Sequence, residues 1–332
     1  MVLKFINEIK LNKKKYKKIY FFPFNVQSRY LYKKIKSKKS YFIDNYEPTS
    51  KIIIRPNKIE DNANNLLIIS DINIEKYLQI KLTNIKKIYK SVPIDSDIGK
   101  RKIDLDKKKS SLLSLSKLFL HYNTDKAKFY TRLSFKDKSH NYGPHYDKMF
   151  KSLRNKELKI LEIGIFRGAS TAAFHNYFKN SKICVLDRDK KIFKFKSKRI
   201  KFFKLDYMNK TEVNKFVKKH NNFFDIIIDD GGHFKSHILN NISNFFSCLK
   251  SNSFYVIEDF GLKFDYLNDI KKEPDIFTVI KSIKLKKNYK SKIINKTLQN
   301  DIIKKVDFIK VCKGSWVKSG KNVSDICFLK MH

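Results

Sequence analysis

Glycine and proline are scarce in this chain, at nine and six of 332 residues. Together with 28 Phe and 17 Tyr, that scarcity excludes a disordered composition. Cysteine is confined to Cys184, Cys248, Cys312 and Cys327, far apart and with no CxxC pair. The thiols therefore read as buried or free in a reducing compartment. Long apolar runs are missing too, since none approaches the ~18 residues of a membrane span. The opening MVLKFINEIKLNKKKYKK is too short in its apolar part, and too broken by Lys, for a signal peptide. A cytoplasmic protein is expected, with a basic amphipathic first helix on a membrane surface as the alternative. Acidic residues are few, 32 against 73 Lys and Arg, which leaves a formal net charge of +41. Such a field attracts phosphates and anionic lipid. The Lys residues are spread along the whole chain among Ile and Asn, however. That reads as a compositional habit, and no nucleic-acid partner is expected.

What is present points to chemistry at two strand ends. In DIIIDDGGH, 225–233, three Ile suit a strand buried on both faces. The strand ends at Asp229 and Asp230, Gly231 and Gly232 permit a sharp turn, and His233 follows. In FYVIEDF, 254–260, a second buried strand ends at Glu258 and Asp259. In a parallel α/β sheet, ligands sit beyond the carboxyl ends of the strands. Carboxylates crowded there repel unless a cation relieves them. Oxygen ligands favour Mg²⁺, Mn²⁺ or Ca²⁺ over Zn²⁺. The competing reading makes these acids ordinary helix caps.

A third place is LKILEIGIFRGAS, 158–170, where a strand over 158–163 is broken by Gly164 and Gly168 before a helix starts near Ser170 and Thr171. Strand, Gly turn and helix N-terminus form the nucleotide side of a Rossmann-like unit, without the GxGxxG spacing of a dinucleotide site. KICVL, 182–186, ends at Asp187, about twenty residues past the turn, where a carboxylate can accept two ribose hydroxyls. IKFFKL, 200–205, ends at Asp206. Five strands thus end in an acid or Gly at one edge, with no phosphate signature. That pattern fits a nucleoside without phosphates, S-adenosyl-L-methionine (SAM) being the obvious one.

At this length two domains are the natural expectation. Residues 1–90 read as a smaller α/β unit, with strands near 19–24, 41–43, 51–54, 66–70 and 86–89 and helices near 26–38 and 73–84. It resembles the small Rossmann-like modules beside sugar-modifying domains. Its first turn, FFPFNVQSRY at 21–30, has no Gly. We therefore expect no dinucleotide there, only packing or partner recognition. Residues 91–111 read as a charged linker, and 112–332 as the second domain.

The second domain, over about 117–262, resembles the metal-dependent sugar O-methyltransferases typified by the macrocin and mycinamicin enzymes, with the cephalosporin hydroxylase-like proteins as relatives. The resemblance rests on NTDK at 123–126, SHNYGPHYDKMF at 139–150, LEIGIFRGAS, IIIDDGGH and YVIEDF. It implies a Rossmann-like seven-stranded methyltransferase sheet with helices on both faces, preceded by the smaller α/β domain. It implies Glu162, Gly164 and Gly168 around the methionine part and ribose of SAM, Asp187 on the ribose hydroxyls and Asp206 near the adenine. It implies Asp230, Glu258 and Asp259 as Mg²⁺ ligands and His233 as general base, with a sugar or glycoconjugate as substrate. A homo-oligomer is left open, and Asp229 is not assigned.

Two residues depart from the family pattern, Asn123 for the usual Gly and a bulky Arg167 in the SAM turn, which we expect to point to solvent. His140, Tyr142 and His145 line the substrate mouth or serve structure. His237 reads as a surface residue and Trp316 as core. The tail reads as helices over 263–303 and a closing hairpin of 307–314 and 324–332. The competing functions are an RNA methyltransferase and a non-catalytic binding module on the same fold. Amino-methylating enzymes use an NPPY-like loop where this chain has DDGGH. A non-haem iron hydroxylase would need a His/carboxylate pair that is not evident.

Overall fold

Runs of β-branched and aromatic residues become strands in two separate main sheets. The computed structural model describes residues 2–22, 26–35, 37, 39–43, 51–69, 80–89, 102–106, 113–128, 139–190, 193–261, 273–318 and 321–332. The first sheet follows helix α1 (Val2–Asn12). It comprises β1 (Ile19–Phe22), then helix α2 (Val26–Ile35), β2 (Ser40–Ile43), β3 (Ile53–Ile54), β4 (Leu66–Ile69) and β5 (Lys86–Tyr89). Its order is β3-β2-β1-β4-β5, and every pairing is parallel. Alternate side chains split between two cores. Ile19, Phe21, Leu66 and Ile68 pack with Ile6 and Ile9 of α1 and Leu31 of α2. Tyr20, Phe22, Leu67 and Ile69 pack with Leu82 and Ile85 on the other face. The Asp61 carboxylate accepts the backbone N–H groups of Thr83, Asn84 and Ile85 at 2.8, 2.9 and 2.7 Å, which fixes the entry to β5. The helix expected over 73–84 falls mainly on 73–79, outside the described residues, and 80–84 are not helical. Residues 23–25 of the Gly-free turn also lie outside them.

Part of the expected linker is built into the second unit. Strand β6 (Ile103–Asp104) pairs in parallel with β9 (Phe195–Lys196), and Leu105 is wholly buried beside it. Asp106 then accepts from the Ser197 hydroxyl at 2.6 Å and the Lys198 N–H at 2.8 Å. The alternating apolar Ile103 and Leu105 carry this segment into the core, so its charge density misleads as a linker signal.

The second main sheet alternates strands with helices α3 (Leu115–Tyr122), α4 (Gly143–Phe150), α5 (Ala169–Tyr177), α6 (Lys210–Lys219), α7 (Lys235–Phe245), α8 (Ile276–Lys284) and α9 (Lys296–Lys305). Its strands are β7 (Lys159–Ile163), β8 (Lys182–Asp187), β10 (Ile200–Lys204), β11 (Phe224–Asp229), β12 (Leu249–Glu258), β13 (Val306–Lys313) and β16 (Asp325–Met331). A two-stranded ladder, β14 (Val317–Lys318) with β15 (Lys321–Asn322), bridges the closing hairpin. The order is β10-β8-β7-β11-β12-β16-β13. All neighbours are parallel except β16, which runs antiparallel to β12 and β13. This is a Rossmann-like seven-stranded sheet with helices on both faces. Ile227 faces the core under α6 to α9, while Ile226 and Ile228 face the core under α3 to α5. The carboxyl ends of β7, β8, β11 and β12, and the residue pair after β10, bring the expected site residues to one edge. Among the described residues, no helix is long and apolar enough to cross a membrane.

Candidate functional site

The turn after β7 is shaped by two glycines with positive φ, Gly164 at +75° and Gly168 at +82°. Gly164 abuts the end of β11. A Cβ there would fall on the Asp230 carbonyl oxygen and lie 2.5 Å from the Gly231 Cα. Gly168 opens α5 and lies under the Phe193 ring. Asp187 caps this turn from β8, accepting the Ile165 N–H at 3.1 Å and the Asp189 N–H at 3.1 Å. Asp206 is exposed and accepts from the Met208 N–H at 2.9 Å. Arg167 is half-buried and lies over the Phe166 ring at 4.8 Å.

Glu162, expected around the methionine part and ribose of SAM, stands behind the turn. It is wholly buried, and its two oxygens accept the hydroxyls of Ser170 and Thr171 at the start of α5. It therefore shapes the turn from behind. Burial pushes its carboxyl up to about 7, against the two hydroxyl donors and Lys126. The folded chain then holds this proton more tightly than the unfolded one, so its contribution to stability falls as pH rises from about 4.5 to about 7. Melting of Glu162→Gln beside the parent, between about pH 5 and about pH 8, is expected to show the variant gaining relative stability as pH rises. A constant difference would refute the assignment.

The acids of β11 and β12 meet residues from 123–146 that sequence reasoning left aside or placed elsewhere. Asn123 ends α3 with φ +55°, donating its N–H to Leu120 and Phe119 carbonyls. A left-handed cap suits Gly or Asn alike, so the replacement leaves the turn intact. From that turn Lys126 enters the interior, where only 2% of its side chain is exposed. Its ammonium bonds Asp230 Oδ2 at 2.5 Å and the Glu258 carboxylate. Tyr146 of α4 donates to the other oxygen of Glu258. Tyr142 donates to Asp259, and His140 Nδ1 lies 2.9 Å from the same oxygen, off-line for a hydrogen bond. Trp316, expected in the core, is half-buried and packs edge-on against His140 at 5.3 Å. His145 reaches the Lys313 carbonyl at 3.0 Å.

Two of the three expected ligands, Asp230 and Asp259, come together with the expected base, His233. One ligand atom each of Asp230, His233 and Asp259 lies within 4.8 Å of the others. His233 Nε2 is 3.9 Å from Asp259 Oδ2. Glu258 instead turns to Lys126 and Tyr146. Adjacent strand residues point to opposite faces, and the chain leaves β12 only at Asp259, with φ +54°. Asp229 belongs to the scaffold. It accepts from Asn241 at 2.8 Å and Tyr255 at 3.2 Å, and burial pushes it up to about 6.

Charge in the pocket is out of balance. Burial raises Glu258 to about 8 and Asp230 well above the carboxylate range, although Lys126 opposes both shifts. Burial works against the Lys126 ammonium, but Asp230 and Glu258 hold its pKa well above the ordinary lysine value. Asp259 is different. Burial raises it, yet the charge and contact of His140, with His233 and the Tyr142 hydroxyl, bring it to about 2. Positive charge is short around Asp230 and Glu258. A hard divalent ion would supply it, and the two converging carboxylates, Asp230 and Asp259, can hold one.

His237 lies outside this group. Its Nδ1 is buried with no hydrogen-bond partner and faces Gly232, whose N–H donates to the Tyr207 hydroxyl at 2.7 Å. A Cβ on Gly232 would collide with His237 and lie 2.9 Å from the Tyr207 oxygen. Gly232→Ser is expected to cost about 1–3 kcal/mol by overpacking, and adding His237→Ala to restore most of it. Chemical denaturation of the single and double variants checks this.

No protein-family model matches the chain. It is 30% identical over 128 residues to the mycinamicin VI 2''-O-methyltransferase of Micromonospora griseorubida, 36% of this chain and 31% of that protein. It is 30% identical over 155 residues to the L-olivosyl-oleandolide 3-O-methyltransferase of Streptomyces antibioticus, 42% of this chain and 39% of that protein. It is 31% identical over 127 residues to the demethylmacrocin O-methyltransferase of Streptomyces fradiae, 36% of this chain and 32% of that protein. The chain thus spans about a third of the length of these relatives. Among solved structures it is similar to a mycinamycin-pathway methyltransferase in complex with Mg, SAH and mycinamycin VI. The TM-score is 0.49 at 22% identity, over 67% of this chain and 56% of the other.

Proposed function

We propose that this chain, a relative of the macrolide sugar O-methyltransferases, is a SAM-dependent, divalent-metal-assisted O-methyltransferase. Its substrate class is a sugar or glycosylated small molecule, as in surface-polysaccharide or natural-product biosynthesis. One observation carries the reading. The Gly164 turn and the acidic pocket share a wall, since Gly164 touches the Asp230 backbone and Asp230 is one of the three converging groups. A methyl donor held by that turn would end beside a cation held by those acids.

SAM, when bound, supplies the methyl group, and a divalent ion such as Mg²⁺ supplies charge that makes a nearby hydroxyl easier to deprotonate. Asp230 and Asp259 would hold the ion. Asp187 and Asp206 would face the nucleoside, with Gly164 and Gly168 leaving room beside the turn. Glu162 would keep the turn in shape. His233, with 27% of its side chain exposed, stands at the rim and would take the hydroxyl proton as the oxygen attacks the methyl carbon and the sulfur departs. Buried His140 and Tyr142 would hold Asp259 in place. The reading carries no nucleic-acid partner and a cytoplasmic site of action, in keeping with four cysteines that are all free thiols.

Calorimetric titration of SAM, with and without Mg²⁺, tests it. Micromolar binding followed by methyl transfer to a glycan or sugar nucleotide is the expected result. A folded protein that binds no SAM under either condition would sink the methyltransferase reading and favour a binding module.

A further inference from the structure

A half-buried indole presents an apolar face to whatever enters beside it. Trp316 is the one Trp of the chain, and it is half-buried. We propose that Trp316 is the platform of the acceptor site. The C–H face of a pyranose ring stacks on it while the ring's hydroxyls turn toward Asp259 and His233. The inference rests on the methyltransferase reading above and names the part of the substrate that Trp316 recognises.

Trp316 stands close to the acids. Its ring meets the His140 ring edge-on at 5.3 Å. His140 Nδ1 in turn lies 2.9 Å from Asp259 Oδ1, and His233 stands on the Oδ2 side. Trp316 is thus one side chain removed from Asp259. A sugar ring is larger than its reacting hydroxyl. A ring seated with that hydroxyl at Asp259 and His233 extends to the next layer of side chains, and Trp316 belongs to that layer.

The residue is also held rigidly. The Trp316 carbonyl accepts the Val323 N–H at 3.0 Å, and the Trp316 N–H donates to the Ser324 hydroxyl at 3.3 Å. Just before it, the Ser315 N–H donates to the His140 carbonyl and the Ser315 hydroxyl to the Ser139 carbonyl, each at 2.8 Å. Gly314 permits that approach, since a Cβ there would lie 2.3 Å from the His140 carbonyl oxygen and 2.1 Å from Ser324 Oγ. The segment carrying Trp316 is therefore fastened to the segment carrying His140 and Tyr142, the residues that contact Asp259. A platform fixed relative to the acids loses little freedom when a ring lands on it. Filling a core requires no such tie to an acidic pocket.

The two surfaces match a sugar. A pyranose has a polar edge of hydroxyls and a face of C–H bonds. The hydroxyls suit carboxylates and a cation, and the C–H face suits the electron-rich face of an indole. An edge-on contact from His140 covers one face of that indole at most. Trp316 would then select for a ring, and the acids for where its hydroxyls point.

Because the chain has a single Trp, its emission reports on this residue alone. The full chain is titrated with methyl hexopyranosides and methyl 6-deoxyhexopyranosides, in Mg²⁺ and S-adenosylhomocysteine. Sorbitol, which has the hydroxyls without the ring face, is the control. A saturable emission change with at least one glycoside, absent with sorbitol, is expected. Calorimetry of that glycoside then compares the parent with Trp316→Phe, which keeps an aromatic face, and Trp316→Leu, which keeps only apolar bulk. Trp316→Phe is expected to stay within about threefold of the parent, and Trp316→Leu to bind at least about tenfold more weakly. Both are expected to keep the parent's SAM affinity. Stacking holds ground state and transition state alike, so in turnover the loss in Trp316→Leu should fall on the acceptor KM and leave kcat nearly unchanged. No emission change with any glycoside in a parent that binds SAM, an equal change with sorbitol, or equal affinity in the Leu and Phe variants would overturn the role of Trp316 alone. If Trp316→Leu does not fold, the emission titration decides. A parent that binds no SAM overturns the methyltransferase reading, and this inference with it.

Discussion

Asp259→Asn is expected to cut methyl transfer by at least about a thousandfold while leaving SAM affinity nearly unchanged. Asp259 is the one pocket carboxylate whose pKa is brought down, to about 2. It therefore stays ionised beside Asp230 and His233, with which it converges. Oδ1 accepts the Tyr142 hydroxyl and sits 2.9 Å from His140 Nδ1, and Oδ2 lies 3.9 Å from His233 Nε2. Asparagine keeps the shape but removes the charge that offsets His140 and puts an NH₂ where a donor or a metal needs an oxygen. Leaving buried His140 without its counter-charge costs about 3–5 kcal/mol of stability. The Gly164 turn is not touched, so the nucleoside should still bind. Turnover, Mn²⁺ titration and SAM calorimetry on one preparation separate these effects. Unimpaired Mn²⁺ affinity would remove Asp259 from the metal site.

The sheet was largely legible because its strands are short apolar runs with abrupt polar ends. DIIIDD and FYVIED carry their own boundaries, although β12 begins at Leu249, ahead of the expected Phe254, in a stretch too polar to signal a strand. The closing hairpin was legible in the same way, and β16 entering between β12 and β13 is the sheet's one antiparallel strand. That the acids of the two strand ends meet was legible, but their partners were not. Lys126 is one of 73 basic residues, and nothing in its neighbours says that it reaches Glu258, 132 positions away. Glu258 and Asp259 are adjacent, and spacing alone cannot tell which faces the opening. The turn at Asp259 decides it, and left-handed backbone at an Asp leaves little trace in a sequence. Tyr142 and Tyr146 look like core aromatics by position, and they are, but their hydroxyls also hold the two acids.

Gly164→Ala is expected to remove SAM binding and metal binding together, which no single acid substitution should do. At φ +75° an alanine is strained by about 1–2 kcal/mol before any contact is considered. Its Cβ would then land on the Asp230 carbonyl oxygen and 2.5 Å from the Gly231 Cα, both backbone atoms that no rotamer change can clear. The two strand ends are tied on either side of that contact. The Gly164 N–H donates to the Leu186 carbonyl at 3.0 Å, and the Asp230 N–H donates to the Ile163 carbonyl at 3.0 Å. Relief must separate the end of β11 from the turn after β7, which moves Asp230 away from Asp259 and distorts the turn that Asp187 caps through Ile165. The combined cost is expected to exceed about 3 kcal/mol. Gly168→Ala provides the internal comparison. Its φ is similar, at +82°, but its Cβ would meet the Phe193 ring, a side chain that can shift. Denaturant unfolding should therefore rank Gly164→Ala well below Gly168→Ala, and Gly168→Ala should keep its Mn²⁺ affinity. Equal costs for the two, or a Gly164→Ala protein that still binds Mn²⁺ like the parent, would mean that the turn and the acidic pocket do not share the wall on which the proposed chemistry depends.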